Sequence, residues 1–268
     1  LYRWIRAGRG KLAVYPTGWG VWPAVILYAI FTWFELVSDV GYFPYVLAIL
    51  LVNYTLIQFA GSAVYGLTWV KHAEFFTVLS QVVGAASPLG YEDGRVRLRI
   101  PGTGLFSLRT DTPGLIPFVG VFLAGVSYDG FKETEAWQVI ARAIGEVVPL
   151  PLVLIRTIEI VGVFAVFLGA YYLVMYLVRK LVRTDLTVRQ LAQRFIISLV
   201  PIGIAYTLAH YLTFLLVTGQ QIIPLLSDPF GTGADYLGTA GYRVNINLLS
   251  AQFVWYTQIS IVALGHML

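Results

Sequence analysis

Cysteine is absent from all 268 residues. That absence removes disulfides, thiolate metal sites, iron–sulfur ligation and cysteine nucleophiles together. Charge is almost as scarce: only 12% of residues are Asp, Glu, Lys or Arg, about half the ~25% of an average soluble domain. Histidine occurs three times, and no HxH pair, HExxH helix or GxSxG elbow is present. The usual residues of a zinc protease or serine hydrolase are therefore missing. The net charge of +4 comes from basic residues that flank apolar segments, so no single basic patch invites nucleic acid.

What the chain has in abundance is apolar surface. Hydrophobic residues make up 58% and the mean hydropathy is +0.75, more than one soluble domain of this length can bury. Spanning the hydrocarbon core takes roughly 20 apolar residues, and such segments occur at about 20–38, 43–67, 114–128 (short), 150–178, 191–217 and 250–268. The expectation is an all-α polytopic membrane bundle of about six transmembrane helices, one integral membrane domain over 1–268. The stretch 71–113 lies between the second and third segments. It predicts an amphipathic helix over "KHAEFFTVLSQVVGAAS" and then a short β-hairpin. There Arg95, Arg97 and Arg99 alternate with Val96, Leu98 and Ile100 after an Asp-Gly turn. "LYRWIRAGRGKLAVYP" is basic but runs straight into a full-length apolar segment, unlike a signal peptide.

The flanking charges alternate. Arg3, Arg6, Arg9 and Lys11 precede the first segment, and Asp39 follows it. Five Lys or Arg lie in 71–113 and five in 179–194, whereas acids outnumber Lys and Arg in 129–149 and 219–249. By the positive-inside rule this predicts six crossings of a prokaryotic cell membrane with the N-terminus cytoplasmic. The final segment reaches Leu268 without a flanking charge, which suggests a piece of a longer chain.

Ionisable groups at membrane depth are costly and serve as functional candidates. Glu35 lies near the outer end of the first segment. Arg156 and Glu159 lie roughly 10–15 Å in, and His210 roughly 12 Å below the outer surface, by a rise of about 1.5 Å per residue. These four predict a polar cluster in the outer half, for a ligand or a proton pathway. The alternative is local pairing, since Arg156 and Glu159 are spaced i,i+3 on one helix face. His210 with Asp228 and Asp235 of the loop "SDPFGTGADY" is a candidate metal set. A bis-histidine haem between His210 and His266 is disfavoured, because His266 lies about 10 Å deeper. No cofactor is assigned; haem or a metal ion finds no support in the spacing.

Several blocks are distinctive: "GVWPAVILYAIFTWFELV", "WVKHAEFFTVLSQVVGAASPLG", "GRVRLRIPGTGL", "VSYDGFKETEAW", "IAYTLAHYLTFLLVTGQ" and "DPFGTGADYLGTAGYRVNINLL". Together with "VWYTQ" and "GHML" they resemble a family of bacterial and archaeal multi-pass proteins sometimes labelled fenitrothion hydrolase. The resemblance covers nearly the whole chain and implies the C-terminal part of a longer protein. It also implies a membrane location, and it marks His72, Glu74, Asp129, His210, Asp228 and His266 as motif positions. Three scattered histidines do not supply the clustered ligands that metal-assisted hydrolysis uses.

The leading expectation is an integral membrane subunit of a larger complex, respiratory or metal-linked, in contact with lipid and other membrane subunits and not an enzyme on its own. The alternatives are a transporter or ion/proton pathway lined by Glu35, Arg156, Glu159 and His210, and a membrane metallo-hydrolase.

Overall fold

The computed structural model describes residues 12–41, 43–92, 94–147 and 150–267. The basic arm Arg3–Lys11 and the last residue of the sixth expected segment, Leu268, lie outside them. The chain divides into two compact units, Leu1–Val200 and Pro201–Leu268.

In the first unit, helix α1 (Trp22–Leu36) and helix α2 (Pro44–Tyr65) each carry a proline in the first turn, where the missing N–H leaves no bond unmade. Gly66 ends α2 at φ +67°, a backbone conformation that side chains with a Cβ resist. The chain reverses there, and helix α3 (Leu67–Ala73) folds back along α2. The Trp69 ring lies on Gly61, where a Cβ would meet it at 2.1 Å. The Trp69 indole also donates to Gln58 Oε1 at 2.8 Å. The helix then breaks at Glu74, which is extended and caps helix α4 (Phe75–Ala85).

The segment expected as one amphipathic helix over 71–87 is thus two pieces, and Glu74 is the reason. Its carboxylate accepts from the N–H groups of Phe76 (3.0 Å) and Thr77 (2.6 Å), donors a helix start leaves unsatisfied. The Tyr54 hydroxyl donates to the same carboxylate. Tyr54 lies midway along α2, roughly 15 Å from either end. Phe75 stacks on Tyr28 of α1 at 5.3 Å and touches Phe31, so the break is at the middle of α1 as well. From this tip α4 returns towards the end it came from. Arg99 holds the carbonyls of Gly84 (2.8 Å), Ala85 (3.1 Å) and Ser87 (2.9 Å), and the turn Thr103–Ser107 packs on α4. A few residues later the Pro113 carbonyl accepts from Val21 N–H at the start of α1 (2.8 Å). Helices α3 and α4 therefore form a re-entrant pair with a carboxylate at its tip.

The hairpin is present as β1 (Leu89–Glu92) and β2 (Arg95–Leu98), with Leu89 opposite Leu98 and Tyr91 opposite Val96. These four apolar residues share one face. Among the described residues none covers them: Tyr91, Val96 and Leu98 are 74%, 68% and 84% exposed.

Helix α5 (Leu115–Lys132) is the centre of the unit. Apolar almost all round, it is covered by α1 and by helix α7 (Leu152–Val182), with Phe118, Val119 and Tyr128 fully buried. Between α5 and α7 in the chain lies helix α6 (Glu135–Val147). Helix α7 has 31 residues and measures roughly 46 Å, longer than a ~30 Å hydrocarbon core. Its far end carries Arg179 and Lys180. Helix α8 (Val188–Phe195) opens on a capping box of Thr187 and Gln190, and the Tyr171 hydroxyl ties it to α7 through Ala192 O at 2.7 Å.

Helix α9 (Leu199–Leu216) leads into the second unit, followed by helix α10 (Ile222–Ser227), a long loop and helix α11 (Ala251–Met267). Gly265 lies against Ala205 and Gln258 Nε2 donates to Ala209 O at 2.9 Å, which sets α9 and α11 antiparallel.

Five helical stretches among the described residues are long and apolar enough to cross a membrane: Thr17–Leu36, Pro44–Tyr65, Leu115–Lys132, Leu152–Val182 and Val188–Leu216. The chain is a multi-pass, all-α membrane protein. The pattern of apolar runs predicts six. The sixth, α11, has 17 residues, and Gln252, Thr257, Gln258 and Ser260 dilute its hydropathy.

Candidate functional site

Helices α1 and α5 run parallel. They meet at Val21 and Pro113 at one end, and at the other Glu35 lies within electrostatic reach of Asp129 and Lys132. Helix α7 runs against both, so its first turns stand beside the last turns of α1 and α5. Three helix ends therefore bring their polar groups to one end of the unit.

Four pairs form there. Lys132 Nζ lies 3.0 Å from Asp129 Oδ1. The Tyr128 hydroxyl donates to Glu159 Oε2 at 2.9 Å. Arg156 Nη1 donates to Asp39 Oδ1 at 2.8 Å. The Trp33 indole donates to Thr157 Oγ1 at 2.9 Å. The i,i+3 pairing of Arg156 with Glu159 is replaced by partners on other elements, because Asp39 and Tyr128 stand closer to each than they stand to one another. Glu35 differs from the rest: among the described residues no hydrogen bond or ion pair reaches its carboxylate.

Of the four residues expected to cluster, Glu35, Arg156 and Glu159 share this end of the first unit. His210 belongs to the second unit, where its ring stacks with Tyr206 at 6.2 Å and meets Tyr211 edge-on at 4.8 Å. His72 and His266 each bond a carbonyl of their own helix, Thr68 O at 3.0 Å and Val262 O at 2.8 Å. His72 also lies 5.6 Å from the Tyr15 ring.

The candidate metal set of His210, Asp228 and Asp235 gains no support from the geometry. Among the described residues no three His, Asp or Glu side chains converge as metal ligands. Both aspartates are engaged in shaping their loop. Asp228 accepts from the N–H groups of Thr232 (2.8 Å) and Gly233 (2.7 Å). Asp235 accepts from the Ser227 hydroxyl and from Ala240 N–H (2.9 Å). These donors hold both carboxyls below the usual aspartate range, chiefly Thr232 N–H for Asp228 and the Ser227 hydroxyl for Asp235.

Sequence reasoning passes over Tyr54 and Tyr128, whose hydroxyls bond Glu74 and Glu159. A signal for them exists: a tyrosine inside an apolar run carries a hydroxyl that needs a partner at membrane depth. Listing such hydroxyls beside the charged residues finds both.

A second feature is the groove between α1 and α2, with a volume of about 410 Å³. Its floor is the re-entrant tip, through Tyr54, Phe75 and Phe76, and Glu35 and Gly41 stand towards its other end. Comparison with protein-family profiles, curated proteins and solved structures finds no match for the chain.

Proposed function

We propose that the chain forms a transport or proton pathway in the cell membrane of a prokaryote, with its N-terminus cytoplasmic. One observation carries this reading: a re-entrant helix pair breaks at Glu74, midway along its neighbours, beneath an open groove that has Glu35 at its other end. Interrupted helices at membrane depth are tolerated where they line a cavity, and in transporters they form the sites for ions and substrates. Glu159 and Tyr128, Asp129 and Lys132 supply further titratable groups at the groove's open end of the unit. The test uses the purified chain in proteoliposomes, with a trapped pH dye and an imposed membrane potential. Proton flux is expected above that of empty liposomes, with a drop of about ten-fold in Glu74→Gln, whose amide oxygen still accepts one of the two capping N–H groups. Flux equal to empty liposomes, or unchanged in both Glu74→Gln and Glu159→Gln, overturns the proposal.

A second reading, a subunit of a membrane complex, is favoured by α11. One side of it presents Gln252, Thr257 and Ser260 with Phe253 and Tyr256 along a single groove, and polar side chains on a membrane helix usually hydrogen-bond across to another helix. A single-chain mass in mild detergent from native membranes removes it. Membership of the family labelled fenitrothion hydrolase is likewise proposed, on the sequence blocks alone.

A further inference from the structure

We infer that the groove between α1 and α2 binds a single-chain cationic amphiphile, its tail along the apolar walls and its ammonium head on Glu35.

The walls are hydrocarbon-like: Leu27, Phe31 and Phe34 of α1 face Leu47, Leu50 and Ile57 of α2. The space of about 410 Å³ falls in the ~300–1,000 Å³ range of small-molecule sites. What separates it from a gap filled by any lipid tail is the chemistry of its polar groups. Glu35 lines the groove with no bonded partner among the described residues, and the one cation near it, Lys132, is engaged by Asp129 at 3.0 Å. A carboxyl on a membrane helix is stabilised by a cationic partner. Asn53 gives one amide N–H to Ile49 O at 2.8 Å, which leaves its oxygen and its second N–H to the groove. The Tyr54 hydroxyl, the one hydroxyl on the groove wall, is given to Glu74. Glu35 is the only carboxyl among the lining residues, and a carboxyl without a bonded partner favours a head group that donates and is positive. A sulfate or phosphate head meets Glu35 as a like charge.

The site deepens the transport reading by naming a substrate class, and it rests on that reading only for the word substrate; binding is measured without flux. The probe is hexadecylamine with a diazirine in its tail, added to the purified chain in phosphatidylcholine nanodiscs, photolysed and mapped by peptide mass. Label is expected on Leu27–Phe34 and Leu47–Ile57. Hexadecyl sulfate with the same diazirine is expected to label these segments about ten-fold less, and Glu35→Gln to lower amine labelling by a similar factor, the scale of one charge-assisted hydrogen bond. Leu50→Trp, which fills the groove and leaves Glu35 intact, is expected to displace the amine as well, and Glu35→Asp to retain it. Equal labelling by amine and sulfate, or amine labelling unchanged in Glu35→Gln, makes the groove an ordinary lipid-filled gap and overturns the inference. Selective labelling without proton flux keeps this site and removes the pathway; flux without selective labelling does the reverse.

Discussion

Tyr128 and Glu159 show how one hydroxyl engages a half-buried carboxylate. Tyr128 is buried on α5, and its donor reaches α7 at 2.9 Å. Removing the hydroxyl leaves an acceptor in a site that water enters poorly, a loss of about 1–3 kcal/mol. Tyr128→Phe is therefore expected to lower the thermal midpoint in detergent, whereas the same change in a Glu159→Leu background is expected to cost little. Equal losses in the two backgrounds overturn the pairing. Arg156 and Asp39 form a shorter bond, yet Asp39 is 68% exposed, and an exposed pair contributes no more than ~1 kcal/mol. Distance alone misranks these two contacts; burial ranks them.

At the scale of the element, the re-entrant pair depends on close approach more than on helix propensity. Helix α3 has seven residues, far short of the ~12–15 that an isolated helix needs for even marginal stability in water. Its hold on α2 comes from the Trp69 ring on Gly61 and from the Trp69–Gln58 bond. Gly61→Leu drives a side chain into the indole and is expected to destabilise the fold by about 1–3 kcal/mol. Trp69→Ala in the same chain is expected to recover part of that loss by opening the space. Thermal unfolding of the single and double variants checks this, and a double variant less stable than Gly61→Leu contradicts it.

The whole molecule offers an unusually clean test of its topology, because a chain without cysteine carries no background thiol. Within the first unit the hairpin lies at the Leu115 end of α5, and α6 follows its Lys132 end. Arg97→Cys and Gln138→Cys are expected to react with an impermeant maleimide from opposite faces of the membrane. Thr68→Cys, at the start of the re-entrant pair, is expected to side with Arg97→Cys. Labelling of Thr68→Cys from the face that labels Gln138→Cys shows that α3 and α4 cross instead of returning.

Much of this architecture was legible in the residues themselves. Apolar runs of spanning length can be satisfied only by helices in lipid, since no water is there to bond the backbone, and the Asp-Gly turn with alternating Arg95, Val96, Arg97 and Leu98 dictates a hairpin. Those are local properties of the chain. The break at Glu74 was not legible, because "HAEFF" keeps a helical pattern and the Tyr54 hydroxyl, one of the donors that satisfy its carboxylate, is distant in sequence. The transfer of Arg156 to Asp39 and of Glu159 to Tyr128 was equally hidden, since an i,i+3 spacing states which groups can meet and not which competitors stand nearer. Sequence alone determined that this protein is a helical membrane bundle and which polar residues must be accounted for within it. Only the tertiary structure decided their partners, because a partner at membrane depth is chosen by proximity across helices, and proximity across helices is not written in any one of them.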